Sequence, residues 1–371
     1  MSAAPDLYSP DRLDRARELA AAAGVDALLV SPSADLRYLT GYAALALERL
    51  TCLVLPARGA PFLVAPELEV PAARTTPLER LGVEIVGWAE TDDPYALIAK
   101  RLPDDVSRVA VDNHMWAEKV VAFRAALPQA DQVLAGPVLR QLRVRKTPAE
   151  VEALRRAAAA IDRVHAAVPQ WLSAGRTERA VGRDIADAIV AEGHVRVDFV
   201  IVASGPNGAS PHHELSDRII EPGDPVVVDI GGATADGYCS DETRTYVVGE
   251  PPADFVAYYD VLASAQSAAC AAVRPGVSAE SVDAAARAII ADAGYGAHFI
   301  HRTGHGIGLE THEEPYIVAG NTERLEPGMA FSVEPGIYLA GRHGARIEDI
   351  LVCTDGGGER LNLRPRQLVR C

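Results

Sequence analysis

The sequence predicts a two-domain protein of mixed α/β (α+β) class, and three observations carry that prediction. At 371 residues the chain is long for a single hydrophobic core. Short apolar runs alternate with helical stretches through its first part. A strong helix-start signal followed by an internal duplication occupies the remainder. Domains are therefore placed at residues 1–140 and 141–371.

In the first domain, residues 11–55 read as a helix rich in Ala and Arg, a strand through ALLVSP, a turn, and a second strand around Leu50–Leu55. Further strands fall on Phe62–Val64, Val83–Val86 and Val109–Val111, with helical stretches around Tyr95–Lys100 and Ala117–Ala126 between them. Asp35, Arg37 and Tyr38 read either as contributors to a catalytic pocket, reaching a partner subunit, or as a turn with a satisfied ion pair. The turn is the preferred reading.

The second domain opens at RVRKTPAE, where Thr147 is placed to cap a helix, Pro148 takes its first position and Glu150 completes a capping box. Val151, Leu154, Ala158, Ile161 and Val164 then recur at helical spacing. Two halves follow with matching punctuation. Gly175, Thr177 and Gly193 are echoed by Gly276, Ser278 and Gly294; Val181 and Ile189 by Val282 and Ile290. Glu221-Pro222-Gly223 precedes an apolar strand ending in Asp229, as Glu326-Pro327-Gly328 precedes one ending in Glu334. Ser204-Gly205 and His213-Glu214 share the spacing of Thr303-Gly304 and His312-Glu313. Gly and Pro also recur at element ends by chance. The agreement nevertheless reads as a duplicated helix–helix–strand unit whose equivalent strands meet in an acid-lined centre.

Composition excludes several classes of function. No apolar run approaches the roughly 18 residues of a membrane-spanning helix. The opening MSAAPDLYSP lacks a basic start and an apolar stretch, so a cytoplasmic protein is expected. A formal charge of −15 disfavours a nucleic-acid partner. Cys52, Cys239, Cys270, Cys353 and Cys371 are scattered and odd in number, which fits neither a disulfide framework nor a zinc-thiolate site.

The acids carry the chemistry. Asp229 sits in VVVDIGG and Asp241 in CSDETRTYVV, on what a hairpin would make neighbouring strands. Glu334 in MAFSVEPGIY and Glu348 in ARIEDILV repeat the arrangement. Four carboxylates facing one volume require cations, and two divalent ions roughly 3.5–4 Å apart would neutralise them. His305, flanked by Gly304, Gly306 and Gly308, supplies a nitrogen ligand. His301 and His305 are four residues apart, but no Glu follows His301, so the HExxH zinc motif is excluded. Oxygen-dominated ligation favours manganese, with cobalt or zinc as alternatives. Taken singly, Asp229 and Glu348 also read as ends of solvated strands, and His301 as a core histidine. Jointly they read as a metal site.

The segments PHH, VVVDIGG, SDETRT, HRTGHGIGLETHEEP, VEPGIY and RIED resemble the pita-bread metallopeptidases, the family of prolidase, aminopeptidase P and methionine aminopeptidase, over residues 148–371. The preceding part, with SADLRYLTGY, resembles the creatinase/prolidase N-terminal domain. The resemblance implies a creatinase-like α/β domain joined to a pseudo-two-fold pita-bread domain. It implies that Asp229, Asp241, His305, Glu334 and Glu348 bind two metal ions, the full set that creatinase lacks. It places His212, His312 and Arg346 against substrate, with His213 as the alternative to His212 that the repeat prefers. It gives catalytic roles to Glu334 as proton shuttle, His312 as stabiliser of the tetrahedral intermediate, and His301. A small peptide substrate and a homodimer are implied as well.

Hydrolysis of the Xaa-Pro bond of dipeptides is the expected activity. A tertiary amide without N–H needs a dedicated pocket, and Arg346 with the histidines would read a free carboxylate on the proline. Two alternatives remain open at this point: an aminopeptidase P acting on longer Xaa-Pro peptides, and a non-catalytic binding protein of the same fold.

Overall fold

The structure is a computed structural model and describes residues 7–371. The first six residues, part of the N-terminal stretch read above for targeting, lie outside the described residues. The chain divides into two compact units, Met1–Arg143 and Val144–Cys371. The division falls after residue 140 because a helix runs through that position.

In chain order the first unit comprises α1 (Pro10–Ala22), β1 (Ala27–Val30), α2 (Ala34–Thr40), β2 (Cys52–Pro56), β3 (Phe62–Pro66), α3 (Val70–Arg74), β4 (Glu84–Trp88), α4 (Pro94–Arg101), β5 (Arg108–Val111), α5 (Ala117–Ala126), β6 (Asp131–Leu134) and α6 (Gly136–Arg143). The six strands form one sheet in the order β4-β3-β2-β1-β5-β6. β1 is antiparallel to β2 and parallel to β5. Buried along its whole length, β1 is the central strand that the unbroken run ALLV calls for. Its core includes Leu29, Val54, Phe62, Val64, Ile98, Val109 and Phe123.

The turn expected after β1 is instead a helix. Ser33 caps it by accepting from the backbone N–H groups of Asp35 and Leu36, and Gly41 ends it at φ 78°. Asp35 lies on α2 paired with Arg143 at 2.7 Å, and Tyr38 Oη donates to the Leu142 carbonyl at 3.2 Å. The cation that pairs with Asp35 is thus Arg143, from outside the segment read as a turn, and the acid stands on a helix.

The second unit comprises α7 (Pro148–Ala167), α8 (Glu178–Ala191), β7 (His194–Ser204), β8 (Pro225–Thr234), β9 (Cys239–Val247), α9 (Ala253–Ala272), α10 (Ala279–Asp292), β10 (Gly304–Gly306), β11 (Glu313–Ile317), β12 (Ala330–Val333), β13 (Gly336–Leu339), β14 (His343–Arg346), β15 (Asp349–Thr354), β16 (Gly357–Arg360) and β17 (Val369–Arg370). The capping box is formed: Thr147 Oγ1 accepts from Glu150 N, and the Glu150 carboxylate accepts from Thr147 N. Leu154, Ala158, Ile161 and Val164 are buried along α7 as the spacing requires.

The duplication is visible in space. α8 and α10 are both 14 residues long, preceded by Gly175 and Gly276 at φ 88° and 84°. Isolated bridges Thr177↔Ile219 and Ser278↔Arg324 occupy matching places. Each half builds its own core. One gathers Ile161, Val181, Ile185, Val226, Val228 and Ile230; the other gathers Leu262, Val282, Ile290, Phe331, Val333 and Leu351. The sheets are β17-β9-β8-β7 in the first half and β11-β10-β12-β15-β16 in the second.

Two details differ from the sequence reading. β8 continues five residues past Asp229 to Thr234, so this acid lies within the strand, not at its end. The strands flanking Glu334 and Glu348 are neighbours in the sheet but not successive in the chain, because the β13–β14 hairpin intervenes.

Candidate active site

β8 and β9 pair antiparallel with Asp229 opposite Thr243 and Gly231 opposite Asp241. Residues two apart share a strand face, so Asp229, Gly231, Asp241 and Thr243 form one patch. In the second half, Val333 is opposite Asp349. Glu334 therefore leaves β12 where Glu348 enters β15. His305 lies on β10, which pairs with β12 through Gly306 and Phe331. The glycines flanking His305 are required by close approach. A Cβ at Gly304 would sit 1.9 Å from the Ser332 carbonyl oxygen, and one at Gly306 would sit 2.3 Å from that of Glu314.

These elements bring all five predicted metal-site residues to the floor of one cleft of about 830 Å³, with His212, His301, His312 and Arg346 also lining it. Ligand atoms of Asp241, His305 and Glu348 lie within 4.8 Å of one another. His305 Nε2 is 3.6 Å from Asp241 Oδ2 and 3.2 Å from Glu334 Oε1. Asp229 is only 8 % exposed and Glu348 1 %, so neither is the end of a solvated strand.

The electrostatics of this floor are unbalanced. Burial, then Glu348, Asp229 and Glu334 push Asp241 well above the ordinary carboxylate range. Burial, then Glu334 and Asp229 do the same to Glu348. Burial would also raise Glu334, but its hydrogen bond to His305 and the nearby positive groups bring it down to about 2. Asp229 Oδ1 and Glu348 Oε1 are buried with no hydrogen-bond partner among the described residues. Buried carboxylate oxygens that are neither paired nor bonded are costly. With one imidazole among four carboxylates, the donor set fits hard-to-borderline divalent cations. The residues therefore fit a metal centre.

Above the floor, His305 and His312 meet edge to face at 4.1 Å between centroids. Burial, then His305 and Arg302 lower the His312 ring to about 4, which keeps it neutral. His301 Nε2 is 2.8 Å from Tyr338 Oη, and burial lowers this ring too. The two histidines of PHH part company. His212 lines the cleft, whereas His213 Nε2 lies 2.8 Å from Glu178 Oε2.

Arg346 also lines the cleft, but its guanidinium is engaged by the protein. Nη2 donates to Asp229 Oδ2, Nη1 to Tyr338 Oη at 2.8 Å and to the Pro211 carbonyl at 3.3 Å, and Nε to Thr243 Oγ1 at 3.1 Å.

Sequence reasoning passed over several contributors. Thr243 Oγ1 donates to Glu348 Oε2 at 2.7 Å. It lies two residues beyond Asp241, and strand periodicity pointed at it. Tyr338, four residues after Glu334, joins Arg346 to His301. Arg302 lines the cleft over the Tyr316 ring, 4.4 Å from its centroid, without an ion-pair partner among the described residues. Phe199, Ile201 and Ile300 add an apolar wall that no motif marked.

The chain resembles known proteins along nearly all of its length. Residues 152–355 match metallopeptidase family M24, and residues 12–145 match the creatinase/prolidase N-terminal domain. The chain is 53% identical over 358 residues to the probable dipeptidase PepE of Mycobacterium tuberculosis, covering 96% of this chain and 95% of that one. It is 37% identical over 341 residues to the Xaa-Pro dipeptidase of Lactobacillus delbrueckii subsp. lactis, covering 90% and 92%. The crystal structure of dipeptidase PepE from Mycobacterium ulcerans superposes with a TM-score of 0.92 at 54% identity, covering 97% of each chain.

Proposed function

From the premise that this chain belongs to metallopeptidase family M24, we propose that it hydrolyses the Xaa-Pro bond of dipeptides with two divalent metal ions held by Asp229, Asp241, His305, Glu334 and Glu348. The observation that carries this reading is the cleft floor itself, with converging buried carboxylates that include oxygens without a partner. A relative of similar length bears the name Xaa-Pro dipeptidase, which supports the same substrate here.

When bound, the ions would supply Lewis-acid polarisation and a nucleophile at neutral pH. Manganese is the ion we assign, on the oxygen-rich donor set. Glu334, kept ionised beside His305, accepts the proton of the attacking water and returns it to the proline nitrogen as the C–N bond breaks. His312 donates a hydrogen bond to the oxyanion of the tetrahedral intermediate. A neutral ring does so from whichever nitrogen carries its proton. His301, fixed by Tyr338, and His212 line the space left for substrate.

The carboxylate of the dipeptide is assigned to Arg302 in place of Arg346. The Arg346 guanidinium is already bonded on every nitrogen, while Arg302 is half-buried at the cleft and carries no carboxylate among the described residues. We also retain the homodimer and the cytoplasmic location of the sequence reading. Among the described residues no helix is long and apolar enough to cross a membrane. Light scattering and cell fractionation test these two points.

The deciding experiment gives metal-stripped protein a Xaa-Pro dipeptide and a Xaa-Pro-Yaa tripeptide, with and without manganese. Manganese-dependent cleavage of the dipeptide alone is expected. Preference for the tripeptide would move the activity to an aminopeptidase, and no cleavage of either with metal bound would overturn the reading.

A further inference from the structure

Each half of the second unit contains a buried acid that the proposed reaction does not use. Glu178 opens α8 and has no exposed surface. Its Oε1 accepts from Ser204 N and Ser204 Oγ, both at 2.7 Å, and from Asn207 Nδ2 at 3.0 Å. Its Oε2 takes His213 Nε2 at 2.8 Å and Ser216 Oγ. All four partner residues belong to the segment 204–216, which presents Ser210, Pro211 and His212 to the cleft. Burial opposes ionisation of Glu178, but these hydrogen bonds outweigh it and hold the carboxylate below its ordinary range.

Asp283, on α10, is 2 % exposed and makes the equivalent connection. Its Oδ1 accepts from Thr303 Oγ1 at 2.7 Å and Thr303 N at 3.2 Å. Arg287, one turn on, is bound to both Asp283 oxygens at 2.9 Å and donates to the Phe299 carbonyl at 3.1 Å and the His301 carbonyl at 2.9 Å. The Thr303 carbonyl in turn receives Glu334 N at 2.7 Å. Ser204 and Thr303 are the residues that the duplication places in register. The acids themselves stand one helical turn apart. The repeat equivalent of Asp283 is Gly182, where a Cβ would lie 2.6 Å from the Leu215 side chain.

We infer that Glu178 and Asp283 are positioning residues, one per half, each fixing the cleft segment that contains its hydroxyl partner. Glu178 ties down His213 so that its neighbour His212 faces substrate. Asp283, with Arg287, sets the His301–Thr303 run and through Thr303 the backbone of Glu334. The PHH pair thus has a division of labour, one histidine anchoring the segment and the other meeting substrate. This inference rests on the cleft being the substrate site.

The two halves predict different kinetic signatures in the manganese-loaded enzyme. Segment 204–216 carries no proposed metal ligand. Glu178→Gln therefore raises KM for a Xaa-Pro dipeptide about tenfold while kcat stays within about threefold. Asp283→Asn acts on the proton shuttle and lowers kcat about tenfold. In a His212→Asn background, Glu178→Gln adds little further to KM, since its effect passes through that ring. Amide hydrogen exchange reads the same assignment without substrate: Glu178→Gln speeds exchange in 205–216 and leaves 299–303 unchanged, and Asp283→Asn does the reverse. Ser216→Ala and Arg287→Lys are the milder substitutions if either acid variant fails to fold. Additive KM effects of Glu178→Gln and His212→Asn, or exchange rising evenly across the unit, would overturn the inference. If the wild-type enzyme cleaves no Xaa-Pro peptide, the proposed function fails, and the exchange pattern alone decides the positioning roles.

Discussion

Replacing Arg302 with alanine tests where the dipeptide specificity resides. The guanidinium lies over Tyr316 at the cleft, and its charge is among the causes that lower the His312 ring, after burial and His305. A hydrogen bond to a charged group contributes about 1.5–3 kcal/mol. Arg302 is only half-buried, so solvent screening puts its bond to a substrate carboxylate near the lower end, about 1.5 kcal/mol, or roughly tenfold in kcat/KM. The assay compares a Xaa-Pro dipeptide with the same dipeptide amidated at its C-terminus, at low and high salt. Arg302→Ala should depress kcat/KM for the acid about tenfold and leave the amide unchanged, and the gap should narrow with salt. Arg302→Lys keeps the charge but loses the planar fork and the stacking, and should fall between. An added arm with Glu-Pro and Ala-Pro separates the terminal carboxylate from an acidic side chain before proline. Equal losses on acid and amide would refute the assignment.

Four further outcomes follow from the same geometry. Glu348→Gln removes one of the mutually repelling buried carboxylates; the thermal shift on adding manganese, about 2.7 kcal/mol for wild type at a hundredfold excess over Kd, should vanish, and a retained shift in differential scanning fluorimetry would contradict the ligand role. Thr243→Val leaves Glu348 and Arg346 each short of a partner, so about 1–3 kcal/mol of stability and at least about tenfold in kcat/KM should be lost, measured by urea melts and steady-state rates. Thr147→Ala should cost about 1 kcal/mol in the same melts, since it deletes the side-chain half of the capping box. His165 is buried, and that burial, then Arg244, lowers its pKa to about 3; between the unfolded value of about 6.5 and that folded value the unfolded chain binds the extra proton, so stability present above pH 6.5 is lost towards pH 3 at about 1.4 kcal/mol per pH unit from this ring. A His165 resonance titrating near pH 6.5 would remove this contribution.

How far the sequence showed all this depends on the range of the physics involved. Local signals held where the determining interaction spans a few residues. Thr147 and Glu150 meet within one helical turn, and α5 occupies the stretch Ala117–Ala126 read from pattern alone. The run ALLV marked a strand, and its burial on both faces accounts for the missing alternation. The segment after it was misread because SADLRYLTG carries its cap and its stop at either end of only seven helical residues, too few for periodicity to register. Glu178, Asp283 and Arg287 gave no signal for a different reason. Acids near a helix start and an i,i+4 Asp–Arg pair read as solvated helix faces, and only the tertiary fold turns those faces inward. Arg346 was legible as a cleft residue. That its donors are consumed by Asp229 and Thr243 depends on strands far away in sequence, and by Tyr338 on the hairpin that ends in Arg346.

The duplication explains why the cleft floor belongs to neither half alone. In the first half the acids stand diagonally across a hairpin, Asp229 facing Thr243 and Asp241 facing Gly231. In the second half the β13–β14 hairpin separates the two strands in the chain, and it ends in Arg346, two residues before Glu348. That departure from strict repetition supplies the bonds that join the halves. Arg346 reaches back to Asp229, and Glu348 N donates to the Thr243 carbonyl at 3.1 Å while its carboxylate takes the Thr243 hydroxyl. Arg244 donates to the Glu348 carbonyl and to Asp349 from the first-half strand β9. Each buried acid opposes the ionisation of its neighbours. The cross-half donors bond Asp229 Oδ2 and Glu348 Oε2, and among the described residues they leave Asp229 Oδ1 and Glu348 Oε1 unbonded. Under the proposed function, those oxygens are where an acid of each half would meet a metal.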